Sequence, residues 1–464
     1  MSGPRQFHVV IVGASISGLT LAHCLSSTSI KFTVLEARSN SFNDGAGLVI
    51  LPNGARILDQ LGLYRDVLDW GVRMDWHSTW LDDGRLLKRV NTRQIGSVRR
   101  RTGYPLIVIA RRALLGIIFT RLRDKHRVFF NRRVSRIIST PEGVTVHSTD
   151  GSSVSGDLVV GADGVYSTVR SQMWRHIKGI EDGAGRHISE VRLKVAYVGV
   201  FGISHAFPAL ERGHVHRAYG HGWSTIIMAG PESKVFWFVS IARPSTDKSN
   251  PRHSCDSSFL SGIVAPLLEK YVASDVTFGE IFNRTDSYVF VPLEESLQTR
   301  WSWGRFAGVG DAMTPNIAEG ANCAIESAAS LANHLNKFVR ESDDPYKEDG
   351  LHSALKTWED SRRHRVKFLF TLSQLAVRVE AATNWGLKLL RRCSGVVHGV
   401  GISWVTDLTP HTARVDYLPL QRREGTGRAS KNKGQKQRRI TWFSAVPLAA
   451  TVSLVLHVFR TMLG

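Results

Sequence analysis

Cysteine is scarce and scattered: Cys24, Cys255, Cys323 and Cys393 are the only four in 464 residues, and no CxxC pair occurs. That pattern indicates neither a disulfide framework nor a zinc site, and it suits a reducing compartment. The N-terminus, MSGPRQF, lacks the positive-then-apolar architecture of a secretory leader. Acidic residues are in deficit, with Asp+Glu 40 against Lys+Arg 60 and a net charge of +20. Such an excess would suit nucleic acid. There is, however, no basic stripe with interleaved aromatics and no nucleic-acid motif, so no nucleic-acid partner is expected. Hydrophobic residues at 42% and charged residues at 22% describe an ordinary globular chain, long enough for two domains.

The basic excess is partly concentrated. Residues 421–439 hold eight Lys/Arg against one Glu. Immediately after them, Ile440 to Phe459 contains no Lys, Arg, Asp or Glu over twenty residues, long enough to cross a bilayer core as a helix. Trp442 and Phe443 suit the interface, and the basic run suits a cytosolic flank. The expectation is a single-pass C-terminal anchor at 440–459 in the endoplasmic reticulum membrane, with the body of the chain in the cytosol. Residues 376–420 are expected to be helical. Within them, 384–405 is apolar around Arg391-Arg392 and reads either as a membrane-surface segment or as a packed closing helix.

Three separated stretches carry the chemistry. The first, FHVVIVGASISGLTLAHCL, reads as a buried strand, a Gly-rich turn and a helix. Gly13, Ser15 and Gly18 occupy the GxGxxG positions, where a tight turn, close backbone approach to a pyrophosphate and close helix–strand packing are needed. Ser stands at the second position. The next strand, Lys31 to Leu35, ends in Glu36, placed to accept ribose hydroxyls. A second Gly-rich segment, Asp44 to Asn53, contains Gly47 and Val49 and leads into an amphipathic helix. Arg111 and Arg112 open another helix, where a cation is unfavourable unless it serves an anion, so one of them is expected to meet a phosphate. The second stretch, GDLVVGADGVYSTVR, places Asp163 in an Asp-Gly turn between strand and helix. The third, FAGVGDAMTPNIAEGANCAIESAASLANHL, places Asp311 after a strand and Gly320-Ala321 at the start of an Ala-rich helix, a place for a phosphate or a polar ring edge on backbone N–H groups. Between about 190 and 300 the chain alternates as sheet. Tyr219, within HVHRAYGHGW, is a candidate weak acid there.

In order and spacing these stretches resemble the three fingerprints of FAD-dependent monooxygenases of the aromatic-hydroxylase type. The resemblance covers about 7 to 370. GASISGLTLAHCL, LPNGARILDQLG and PLEESLQTRWSWGRFAGVGDAMTPNIAEGANCAIESAA are closer still to fungal prenyl epoxidases of meroterpenoid and indole-diterpene routes. The resemblance implies an α/β fold. It would have a Rossmann-like FAD-binding domain (1–185 and 280–375) and an inserted antiparallel substrate sheet (186–300, with strands from 72–110). A helical region (376–420), a basic linker (421–439) and the transmembrane helix (440–459) would follow.

By the same resemblance, Gly13, Ser15 and Gly18 would hold the FAD pyrophosphate and Glu36 the ribose. Gly47 to Val49 would lie along the flavin, Arg112 (of an RxxL pattern) would contact the cofactor, and Asp163 would close the second fingerprint. Asp311 would bind the ribityl chain, and Gly320 and Ala321 would approach the ring. NADPH or NADH would be a transient reductant, because no second GxGxxG is present. Activity would be epoxidation of a prenyl double bond by O2 through a flavin C4a-hydroperoxide, with Tyr219 steadying the departing alkoxide and a membrane terpene cyclase consuming the product. Alternatives are a phenolic-ring hydroxylase and a flavoprotein scaffold; Trp301-Ser-Trp303-Gly lacks the Ile-Pro of flavin halogenases. The segment between Asp311 and Pro315, Ala312-Met313-Thr314, is shorter than the family pattern and lacks its His.

Overall fold

The computed structural model describes residues 5–39, 47–92, 98–179, 194–243, 262–315, 320–389, 391, 412–421 and 423. The expected anchor, nearly all of the basic run, and Asp44 of the second Gly-rich segment lie outside these residues. Among the described residues no helix is long and apolar enough to cross a membrane.

The first strand, His8–Val12, lies inside a six-stranded sheet ordered Ser302–Trp303, Phe306–Gly308, Leu158–Gly161, His8–Val12, Lys31–Leu35, Val128–Phe129. All neighbours pair in parallel except the edge strand Ser302–Trp303. Val9, Val10, Ile11, Leu158, Val159 and Val160 are fully buried, as expected of parallel strands covered on both faces. The helices Ile16–Leu25 and Gly320–Glu341 pack together in that cover. The long helix Glu348–Ala381 closes over the second of them.

A seven-stranded sheet forms the other half, ordered Thr285–Glu295, Lys194–Ser204, Val235–Ala242, Trp223–Ala229, His214–Tyr219, Trp76–Leu81, Leu86–Asn91. It is mainly antiparallel, with one departure: His214–Tyr219 runs parallel to Trp76–Leu81, a pairing that strand alternation along the sequence does not reveal. Between the two large sheets a small antiparallel sheet joins Gly47–Ile50, Ile107–Ala110 and Val72–Arg73. It touches the large sheet directly: a Cβ on Gly47 would lie 2.5 Å from Phe236 Cγ.

Register divides one face of the seven-stranded sheet into three rows of directly opposed residues. The lower row, Ile203, Phe236, Met228 and Val215, is buried against a cluster with Val108 and, at its margin, Val49 and Leu51. The upper row, Gly199, Ser240, Ser224 and Tyr219, is also buried. The middle row, Phe201, Phe238, Ile226, Arg217 and Thr79, is buried only in part, although the sheet extends past it on both sides.

A strap, 412–423, returns from the far end of the chain to the helix Pro52–Gln60. The Gln60 amide brackets Val415, donating to its C=O at 2.8 Å and accepting its N–H at 2.9 Å. Arg423 makes a bidentate pair with the buried Asp59 at 2.7 and 2.6 Å.

Candidate functional site

The Gly-rich turn of the first stretch is set by packing. Gly13 has φ +106°, and a Cβ there would lie 2.4 Å from the Ala162 C=O oxygen. A Cβ on Gly18 would lie 1.9 Å from the Gly13 oxygen, so the helix can close on the turn only with glycine at both places. Ser15 is the N-cap of Ile16–Leu25 but makes no side-chain cap bond. The first-turn N–H groups are left for an anion.

Glu36 stands beside that turn. Its carboxylate accepts the Ala14 N–H at 2.7 Å and the Arg38 N–H at 2.9 Å. Two backbone donors fix its orientation and leave lone pairs for hydroxyl groups.

Arg111 crosses to the same place. Its guanidinium donates to Ser15 Oγ at 2.8 Å, and its charge also acts on Asp311. The expectation that Arg112 faces the cofactor is therefore corrected: Arg112 is exposed, and Arg111 is the inward residue. The signal was available, since Arg111 and Leu114 also form an RxxL pattern.

Asp311 follows the strand of the third stretch, in a single 3₁₀ turn, Gly310–Ala312. The residue is exposed, although much of the chain lies around its carboxylate. Burial pushes its carboxyl up to about 6, tempered by Arg111. Glu294, half-buried at the end of its strand, is pushed up to about 7 by burial and then by Asp311. Nothing in its local sequence singled Glu294 out. A Cβ on Gly320 would lie 3.5 Å from Asp311 Oδ1, so the Ala-rich helix starts against this carboxylate. Ala321 follows in its first turn.

Asn322 ties the helix to the opposite wall, donating to the Val49 C=O at 2.9 Å and accepting the Leu51 N–H at 3.0 Å. One turn on, Glu326 is fully buried. It accepts from Asn53 at 2.6 Å, Arg362 at 2.8 Å and Arg365 at 2.8 Å. Burial alone would raise this carboxyl; the two arginines and Asn53 outweigh it and hold it at about 2. These partners are dozens to hundreds of residues apart, and no motif announced them.

Asp163 has its partners close by in the chain. Its carboxylate accepts from Ser167 Oγ at 2.6 Å and from the Thr168 and Val169 N–H groups at 2.7 and 3.2 Å. It organises the start of the helix Thr168–Lys178 and stands as a positioning residue. Burial raises its carboxyl, against these donors.

Tyr219 is corrected as well. It is fully buried in the upper row. Its strand runs four residues from there to Val215, about 13 Å from the row that packs beside Val49. Burial first, and Glu380 second, push its hydroxyl above the ordinary phenol value. Arg391 stands over the ring at 5.9 Å. The adjacent Arg217 donates to Glu380 at 2.6 Å. Tyr219 belongs to the clamp between sheet and long helix.

These placements fit FAD. An uncapped helix start, a carboxylate fixed on the same turn and an exposed aspartate are linked through the Ala14 N–H and the Arg111 guanidinium.

The family model for the FAD binding domain matches residues 6–371. FAD-dependent monooxygenase cdmI of Talaromyces verruculosus is 33% identical over 472 residues, covering 99% of this chain and 97% of its own length. FAD-dependent monooxygenase penE of Penicillium thymicola is 33% identical over 456 residues, covering 95% of this chain and 94% of its own. Among solved structures, Klebsiella pneumoniae HpxO complexed with FAD and uric acid superimposes with a TM-score of 0.69 at 22% identity, over 88% of this chain and 97% of that one. CtdE in complex with FAD and substrate 4 does so with a TM-score of 0.66 at 18% identity, over 82% and 91%. Those two similarities are of fold.

Proposed function

This chain belongs to the FAD-binding monooxygenase family, and from that premise we propose that it epoxidises a double bond in the prenyl chain of a meroterpenoid-type secondary metabolite, using NADPH or NADH and O2. The observation that carries the substrate class is the middle row of the seven-stranded sheet. Phe201 and Phe238 stack at 4.3 Å, and with Ile226 they form an apolar strip that the fold leaves only partly covered. An isoprenoid chain laid on that strip would be desolvated at about 25 cal/mol per Å² of apolar surface removed from water.

When bound, FAD accepts hydride from the nicotinamide and activates O2 for transfer of one oxygen atom. The chain's own part is placement. Ser15, Arg111 and the start of Ile16–Leu25 would hold the pyrophosphate, and Glu36 the adenosine ribose. Asp311 would accept from the ribityl hydroxyls, and Gly320-Ala321 would bring backbone N–H groups to the ring edge. Asn322 would keep the two walls at fixed separation. The apolar strip would exclude water from the alkene. Residues 440–459 would anchor the body at a membrane into which a prenylated substrate partitions, and a membrane terpene cyclase would take up the epoxide.

The test is mass spectrometry of microsomes containing this protein, NADPH and candidate prenylated phenols. A product heavier by one oxygen that opens to a diol is expected. Oxygen on the aromatic ring would replace this reading with a hydroxylase.

A further inference from the structure

The long helix stops at Ala381, and Ala382 turns the chain at φ 32°. A short helical segment, 385–389, follows. Its two ends point away from the body: Trp385 is 77% exposed and Leu389 55%. They are four residues apart, hence neighbours on one helical face, and Lys388 beside them is exposed too.

This segment is held firmly. The Gly222 N–H donates to the Ala381 C=O at 2.6 Å, and the Asn384 side chain accepts the Leu387 N–H at 2.9 Å. Arg391 donates to the Gly220 C=O at 2.7 Å. An element pinned to the hairpin between Tyr219 and Trp223, at one end of the strands of the substrate sheet, thus presents an indole and a leucine to the outside.

We propose that the Trp385–Leu389 face seats on a lipid bilayer containing anionic lipid, beside the entrance to the substrate sheet. This rests on the membrane anchoring proposed above. Two features of the chain select a bilayer as occupant. The tail beyond the strap carries six Lys/Arg in 424–439, complementary to anionic headgroups, and then twenty uncharged residues, the length of a bilayer core. A tryptophan and a leucine flanked by lysine also match the interface, where an indole and a snorkelling cation are both satisfied. With this face seated, a lipid-partitioned prenyl chain reaches the sheet without crossing bulk water.

The full chain is reconstituted in vesicles of phosphatidylcholine and phosphatidylserine bearing a photoactivatable phospholipid, and adducts are mapped by mass spectrometry. Adducts are expected at Trp385 and Leu389 as well as within 440–459. Trp385→Glu should lower the yield at 385–389 by roughly tenfold, about 1.4 kcal/mol of interface affinity, while adducts within 440–459 persist. Adducts in 440–459 alone would overturn the docking and leave the anchor standing. A complete absence of adducts would overturn both.

Discussion

Arg111 donates to Ser15 Oγ at 2.8 Å, joining residues 96 positions apart, while its charge tempers the Asp311 carboxyl. One guanidinium thus links the turn that would hold a pyrophosphate to the carboxylate that would hold a ribityl chain. Arg111→Ala should weaken FAD binding by one to two orders of magnitude, since a hydrogen bond to a charged group contributes about 1.5–3 kcal/mol. Arg112→Ala should leave affinity within about twofold of the parent, in line with near-neutral surface substitutions. Fluorescence titration of the apoprotein with FAD separates the two.

Gly18→Ala sets a Cβ 1.9 Å from the Gly13 oxygen. Backbone cannot yield as a flexible side chain does, so the helix Ile16–Leu25 must shift off the turn. Purified protein should carry little flavin and melt several degrees lower. An unchanged flavin absorbance per mole of protein would contradict the packing described.

Asp311 and Glu294 are carboxyls whose folded values are raised, to about 6 and about 7. Raised acids bind more protons folded than unfolded, so their contribution to stability is fully present below the unfolded value and is lost as pH rises through the folded one. The apoprotein should therefore lose stability from about pH 4 to about pH 7 through this pair. Asp311→Asn should melt higher than the parent at about pH 8, with the gap closing toward about pH 4, and should bind FAD more weakly. Thermal melts across pH check the sign.

Tyr219→Phe should preserve kcat within about twofold, because the ring is fully buried and its hydroxyl stands among Arg217, Glu380 and Arg391 of the clamp. Glu380→Gln should lower stability by about 2 kcal/mol, leaving Arg217 half-buried beside a neutral partner. Denaturant melts and steady-state kinetics on the same two variants make the comparison.

The strap sets where the chain can be shortened. Ending it after Arg423 keeps the pairs to Asp59 and the bracket on Val415. Ending it before Thr412 leaves Asp59, itself nearly buried, short of its charged partner. The longer form should match the parent melting temperature, and the shorter one should fall clearly below it.

Much of the candidate site was legible in residue order. A buried strand, glycines at the turn and an acid at the end of the next strand belong to one contiguous βαβ unit, whose geometry is local, so Gly13, Gly18 and Glu36 could be placed from spacing alone. The same holds for Asp311 against the start of its helix. What spacing left open was which neighbour faces inward. Arg111 and Arg112 are adjacent, and only the docking of their helix on the first turn distinguishes them. Asp163, assigned to the cofactor by resemblance, also organises the start of the helix after it.

Tertiary structure alone decided the rest. Tyr219 looked available because strand alternation tells a residue's face but not its row, and rows depend on register among seven strands. The Asn53–Glu326–Arg362–Arg365 cluster, Asn322 across to Val49, and Glu294 beside Asp311 join stretches that sequence keeps far apart. Chain order determined the units and their local chemistry, because turns, caps and alternation are short-range effects. Which charges meet, and which apolar strip stays only partly covered, was determined by packing, because those contacts exist only once the two sheets and the long helix have closed on one another.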